Sequence, residues 1–456
     1  MSTNKKKKTV HCDRISALPD ALIHLIFSYL DVTQVVQTSV LSKRWKSLWI
    51  SNPYLNIQFH EWLGYDVGDY SWINGNFDGD EFKKFVDRVL LLRDGSNIHK
   101  FSFECQCYDD REYDGANQIG FCDWGLDQMD IWISSVIRRN VQEVKLQSLD
   151  ISQSTLKSLV AQVKSLTLDA VRFEKVNDSE SNEILMSSHV LEHLKLEDCD
   201  YNSYRELTIS APNLTKLMVI DDGIDYDGGT GSCVIKICAQ NLKVLQIEGD
   251  MYKDYLLESL ESLESAVIDI DNGDDGEDIA SCLANILKGL YNTKSLTLSA
   301  TPFQDYAEVP NVLNAIGLSF RNVRFLKFTN WRAKDCMSAI VKLLEKFTNL
   351  ETLVMVNAEI RNWTNNSVKV KEWGAHLLSP HLKYIEIQEP DPCENGFKFL
   401  QYLLKNAAGL EKIVMAATST QASETEKLLE FCKRLQVLPK ASLRVKISLT
   451  HEFLSP

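Results

Sequence analysis

VQEVKLQSLDISQSTLKSLVAQVKSLTL, residues 141–168, carries one six-residue pattern at each end: apolar, two of any kind, apolar, one of any kind, apolar. The two copies are Val141-x-x-Val144-x-Leu146 and Val163-x-x-Leu166-x-Leu168. The fourth and sixth positions lie two residues apart, so on a strand they share a face, and the first packs from the preceding turn. Upstream the pattern recurs as Tyr54-x-x-Ile57-x-Phe59 and Ile98-x-x-Phe101-x-Phe103. Downstream it returns at Leu191, Leu214, Leu242, Leu263, Thr293, Val323, Leu350, Leu382 and Leu410, and from Val141 onward the starts lie 21 to 32 residues apart. No single unit can bury its three apolar side chains alone. Stacking must therefore join the strands into a parallel sheet over a continuous core.

The pattern resembles the leucine-rich repeat, and the resemblance implies an α/β fold: a curved solenoid with a parallel sheet, over residues 51–390. The Asn or Cys that this repeat usually carries three places after the sixth position stands clearly only at Cys199. The turn backbone must be satisfied by other means. Asp80 to Leu92 and Asp127 to Arg139 show helical apolar spacing and are expected on the convex side.

Residues 13–50 read DRISALPDALIHLIFSYLDVTQVVQTSVLSKRWKSLWI. Twenty of these thirty-eight residues are apolar or aromatic, more than so short a piece can hide within itself, which predicts a built-in docking surface. Leu18-Pro19-Asp20 starts a helix running to about Leu30. Leu22, Leu25, Ile26, Tyr29 and Leu30 form one stripe, while Ile23 and Phe27 lie off it and need a second cover. Thr33 is the expected cap of a second helix with Val35, Val36 and Val40, and Ser42 of a third with Trp45, Leu48 and Trp49. Lys43, Arg44 and Lys46 add positive charge.

From Asp13 to Trp49 this stretch resembles the F-box of the plant type, D-R-I-S-x-L-P-D-x-L-x-x-x-I-x-S-x-L ending in T-S-V-L-S-K-R-W-x-x-L-W. It departs at Asp31-Val32, where many relatives carry Pro. The resemblance implies a three-helix domain that binds a Skp-type adaptor, and through it a cullin and a RING protein. Leu18, Pro19, Leu22, Ile26, Leu30, Val40, Leu41, Arg44 and Trp45 are the expected adaptor residues.

Residues 391–456 read as helix, strand, helix, strand. Phe399, Leu400, Leu403 and Leu404 form one helical face, Leu428, Leu429 and Phe431 start another, and Leu443, Val445 and Ile447 alternate as a final edge strand. Leu404 to Lys412 and Leu438 to Ser442 resemble the FBD domain of plant F-box proteins, expected here as an α/β cap on the open end of the repeats.

Composition excludes several functions. No apolar run approaches a membrane span, and MSTNKKKKTV lacks the apolar core of a secretory signal, which predicts cytoplasm and/or nucleus. Residues 1–12 read as a basic flexible tail; Lys5 to Lys8 are a solvated run, with nuclear import as the alternative. The eleven cysteines are odd in number and irregularly spaced, so buried thiols are expected, with Cys105 and Cys107 on one strand face. His189 and His193 have helical ligand spacing, but His193 falls in a strand, so no metal is expected. The acidic runs at 221–229 and 269–278 lack the twelfth-position Glu of a calcium loop. No P-loop, G-x-G-x-x-G, G-x-S-x-G or H-E-x-x-H occurs, and no nucleophile and base stand at a legible spacing, so neither catalysis nor a cofactor is expected.

Net charge is −14, yet residues 1–50 carry eight Lys/Arg against three Asp/Glu, leaving −19 for the rest. An acidic body argues against nucleic acid as a partner. The resemblance then implies the substrate-recognition subunit of an SCF-type (Skp–cullin–F-box) ubiquitin ligase. Two other readings are a small-molecule, hormone-like co-receptor and an adaptor-bound scaffold outside ubiquitin transfer. A target protein is expected on the solvent-facing side of the repeat strands. Lys145, His193, Lys195, Met218, Phe325, Lys327 and Tyr384 lie there, together with Thr167, Gln246, Thr297, Val354 and Glu386.

Overall fold

The computed structural model describes residues 15, 17–59, 79–105, 107–108, 119–120, 125–175, 181–201, 203–221, 233–250, 254–271, 279–305, 317, 319–331, 337–357, 378–390, 393–417 and 422–450. Two compact units divide the chain, Met1–Val176 and Asn177–Pro456. The tail at 1–12 and most of both acidic runs lie outside the described residues.

The first unit opens with α1 (Asp20–Phe27), α2 (Val32–Gln37), a 3-10 turn (Thr38–Val40) and α3 (Lys43–Leu48). Their core is Ile23, Phe27, Val35, Trp45, Leu48 and Trp49, with the Phe27 and Trp45 rings edge to face at 5.5 Å. Ile23 and Phe27 are thus the inward side of α1; Leu22, Leu25, Ile26 and Tyr29 of the wide stripe are exposed, while Leu30 packs partly against the core. α1 stops at Phe27, short of Leu30. The cap of α2 is Asp31, not Thr33: its Oδ1 accepts the Thr33 N–H at 2.6 Å, and Gln34 returns a bond to the Asp31 N–H at 3.3 Å. Ser42 caps α3 as its position predicts.

Four parallel strands follow, β1 (Tyr54–Gln58), β2 (Lys100–Glu104), β5 (Glu143–Ser152) and β6 (Ser165–Glu174), with a short antiparallel pair, β3 (Cys107–Tyr108) and β4 (Ile119–Gly120), after β2. Phe101, Val144 and Leu166 stand side by side as fourth positions. The first unit departs from its expected register: Leu55 pairs with Phe101, and Ile57 with the sixth-position Phe103. The true unit starts at Asn52, a polar residue, so the apolar Tyr54 misled the pattern by two places. Cys105 lies beyond β2 and is disulfide-bonded, against the expected thiol on a shared strand face. The helices Gly79–Leu92 and Leu126–Ile137 lie where the helical spacing predicts.

In the second unit ten strands form one parallel sheet: β8 (His193–Glu197), β10 (Lys216–Asp221), β12 (Val244–Asp250), β14 (Ser265–Asp271), β15 (Ser295–Ser299), β16 (Phe325–Trp331), β17 (Thr352–Asn357), β18 (Tyr384–Gln388), β19 (Lys412–Ala416) and β20 (Lys446–Thr450). Leu194, Leu217, Leu245, Ala266, Leu296, Leu326, Leu353, Ile385 and Ile413 align as one buried row. Between the early strands the chain crosses to a second parallel sheet, β7 (Glu183–Ser187), β9 (Glu206–Ser210), β11 (Val234–Cys238) and β13 (Asp254–Glu258), where the sequence pattern predicted none. Its alternation is clean: Leu207, Ile209, Ile235 and Ile237 are buried while their neighbours are not.

The FBD-like tail continues this sheet instead of ending it with another fold. Ile447 and Leu449 of β20 stand beside Ile413 and Met415 of β19, in the same register as every earlier unit. Leu443, expected in that strand, precedes it and is 98% exposed. Helices Glu394–Asn406 and Ala422–Gln436 fill the two connections, the first burying Phe399, Leu400, Leu403 and Leu404.

Two devices replace the missing Asn ladder. The residue just before the first pattern position reaches back one unit: Asn213 Nδ2 donates to the His189 carbonyl at 2.6 Å, Asn322 Nδ2 to Asn292 Oδ1 at 3.1 Å, and Asn349 Nδ2 to the Arg321 carbonyl at 2.8 Å. The eighth position takes left-handed backbone at Ser148, Ala170, Asp198, Gly249, Asn330 and Glu389. At Gly249 an added Cβ would sit 1.6 Å from the Asp221 carbonyl oxygen, so only glycine fits.

Candidate functional site

Seven of the sixteen exposed large apolar side chains among the described residues fall within residues 15–41, a concentration in one short stretch that the scattered other nine do not match. Leu22, Leu25 and Ile26 are 46, 48 and 40% exposed and lie along one face of α1, and Tyr29, in the turn just beyond its end, is 82% exposed. Ile15, Val40 and Leu41 are exposed too. Behind them Ile23 and Phe27 anchor the helix in the core, so the exposed row is held by a rigid support.

Each expected adaptor residue has a definite place. Pro19 is the exposed N-cap of α1, and Leu22, Ile26, Val40 and Leu41 are exposed. Leu18 and Leu30 are half-buried against the core. Arg44 pairs with Asp20 and donates to the Leu18 carbonyl at 2.5 Å, fixing α3 to the start of α1. Trp45 is the correction: it is buried, and its ring belongs to the core against Phe27. Leu25 and Tyr29, not among the expected adaptor residues, are exposed beside Leu22 and Ile26, as the stripe in the sequence signalled.

The second surface is the outward face of the repeat strands. In the first unit Lys145 on β5 lies 4.0 Å from Asp169 of β6. In the second, His193, Lys195 and Met218 meet on β8 and β10, with Lys195 paired to Glu197 at 2.5 Å. Phe325 and Lys327 open β16, four strands from β10, roughly 20 Å at sheet spacing. Met218, Phe325 and Lys327 are half-buried, and His193 is exposed.

Tyr384 belongs to a different environment. Its hydroxyl donates to Glu386 Oε2 at 3.0 Å, Gln388 Nε2 donates to Glu386 Oε1 at 2.8 Å, and the Lys412 ammonium lies 5.6 Å from the Tyr384 ring. Burial, and then the Glu386 carboxylate, push the phenol up to about 12. Glu386, Val354 and Val414 are buried, so the expected exposure of Glu386 and Val354 fails from β17 onward. Within the second unit the outward positions of the strands thus stay exposed or half-buried from β8 to β16.

Among the described residues no three or more His, Cys, Asp or Glu side chains gather as metal ligands, and no helix is long and apolar enough to cross a membrane.

Comparison with known proteins fits these two surfaces. Residues 15–56 match the F-box domain, and residues 376–415 match the FBD. F-box/LRR-repeat protein 13 of Arabidopsis thaliana is 24% identical, with 97% of each chain covered. A second Arabidopsis F-box/LRR-repeat protein is 24% identical over 95% of this chain and 74% of its own. An FBD-associated F-box protein of the same plant is 24% identical over 94% of both. With a match to the F-box domain, parallel repeat strands and a match to the FBD, the chain is similar over nearly its whole length to plant F-box/LRR-repeat and FBD-associated F-box proteins.

Proposed function

We propose that this protein is the substrate-recognition subunit of an SCF-type ubiquitin ligase. Leu22, Ile26, Val40 and Leu41, joined by Leu25 and Tyr29, receive the Skp-type adaptor, and the β8–β16 face receives the target. The mechanism is proximity: the chain raises the effective concentration of target lysines near the charged ubiquitin carrier and forms no covalent intermediate itself.

The single observation that carries this reading is the row of exposed apolar side chains at α1, seated on a packed core and exposed among the described residues. Intact protein and a Leu22→Asp/Ile26→Asp variant are compared for copurification with the adaptor and, with the proteasome blocked, for ubiquitylated proteins bound to each. Adaptor and ubiquitylated targets are expected only with the intact chain. Equal adaptor recovery from both would refute the docking face, and adaptor binding without ubiquitylated targets would favour a scaffold outside ubiquitin transfer.

A further inference from the structure

We infer that the target segment seated on β8, β10, β12 and β14 is an apolar stretch flanked by Lys or Arg on the side that faces the strand C-terminal ends. The inference rests on the reading of this face as the target surface and adds the chemistry of what binds there. In register, Met218 on β10, Gln246 on β12 and Val267 on β14 form one outward, half-buried row, with Val244 one outward position earlier on β12, a largely apolar centre three strands wide. Below it, toward the strand ends, Glu197, Ile220, Glu248 and Asp269 occupy one row. Glu248 and Asp269 stand directly opposite each other on neighbouring strands, an arrangement of like charges that costs stability.

Among the described residues only Glu197 of this row has a cationic partner, Lys195 at 2.5 Å. Asp269 accepts from Thr329 Oγ1 at 3.1 Å and Asn330 Nδ2 at 3.3 Å, two neutral donors that orient the carboxylate and leave its charge in place. An ammonium or guanidinium arriving between Glu248 and Asp269 would relieve their repulsion, while the adjacent apolar centre buries the rest of the segment. The −19 carried by the chain beyond residue 50 steers the same kind of partner and repels nucleic acid or an acidic peptide.

The test is selection of a random displayed peptide library on the full chain copurified with its Skp-type adaptor. The expected winners carry Lys or Arg beside a run of apolar residues. For a synthetic winner, Glu248→Lys/Asp269→Lys should weaken binding by about tenfold, and repeating the selection on that variant should enrich Asp and Glu instead. Winners that are neutral or acidic, winners whose affinity ignores the charge reversal, or no enrichment at all would overturn the inference. A Met218→Asp/Val267→Asp variant separates the two failures. If it abolishes binding of charge-blind winners, the face binds targets and only the basic class is wrong; if basic winners still bind it, they dock elsewhere and the face assignment itself is wrong.

Discussion

Asp31 Oδ2 accepts the backbone N–H of Gln58 at 3.2 Å, so the carboxylate that caps α2 also holds the last residue of the first repeat strand. Its other oxygen takes the Thr33 N–H, and the side chain is buried. Asp31 thereby links the second helix of the N-terminal segment directly to the first repeat strand.

Asp31→Ala should lower the stability of the first unit by about 1–3 kcal/mol, because it removes a cap and leaves the Gln58 N–H without its partner. Chemical denaturation followed by circular dichroism reads this directly. A midpoint equal to that of the parent would show the carboxylate to be dispensable.

The two sides of α1 should respond in opposite ways. Leu22→Asp/Ile26→Asp leaves the melting temperature nearly unchanged, since both side chains already meet solvent. Phe27→Ala and Trp45→Ala each cost about 3–5 kcal/mol through the cavity they open. If Trp45→Ala lost adaptor binding with stability intact, its place in the core would be wrong.

Left-handed backbone at Ala170 makes an unusual prediction. Ala170→Gly should be neutral or stabilising by up to about 1 kcal/mol, since glycine removes the steric cost of that conformation. Thr167→Gly, three residues earlier in the same strand, should destabilise instead. Paired thermal melts settle it, and equal losses at both sites would contradict the backbone geometry.

Removing a bond between units should matter more than the exposure of the residue suggests. Asn349→Ala frees the Arg321 carbonyl and is expected to cost about 1 kcal/mol, whereas Asn349→Asp cannot donate and should cost as much or more. Hydrogen exchange near Arg321 and Thr352 would rise in both variants; no change in either would remove the bond from the account.

Burial pushes the Cys233 and Cys282 thiols up to about 12. A thiol raised this far is only about one part in a thousand thiolate at pH 9, so native protein should resist iodoacetamide at both sites. Mass spectrometry should find them labelled only after guanidinium unfolding. The same raised values give a stability contribution that is present below the ordinary thiol range and lost as pH climbs toward 12, because the unfolded thiols ionise first. Rapid native labelling would place them at the surface.

The amphipathic arithmetic of α1 shows how far sequence reading reaches. Its periodicity marked two apolar sides, and only packing against Trp45 and Val35 decided that the narrow pair, Ile23 and Phe27, goes inward while Leu22, Leu25, Ile26 and Tyr29 of the wide stripe stay outside. Tyr54 shows a second limit: an apolar residue at a plausible start pulled the first repeat two places out of register, and pairing of Leu55 with Phe101 corrected it. Glu386 looked solvent-facing by position, yet it is buried, with Tyr384 and Gln388 bonded to its carboxylate.

The sequence by itself determined the repeat, because three apolar side chains per unit at period-two spacing have no stable arrangement except stacked parallel strands. It determined the docking segment too, since an apolar surplus of that size cannot be hidden in a short stretch of chain. Tertiary structure alone decided the second sheet, the left-handed eighth positions and the Asn bonds between units. Those depend on where a neighbouring unit sits: residues as unlike as Ser148, Ala170, Asp198 and Glu389 take the same left-handed backbone form, while Asp221, Ile270 and Ala300 at the same position in other units do not.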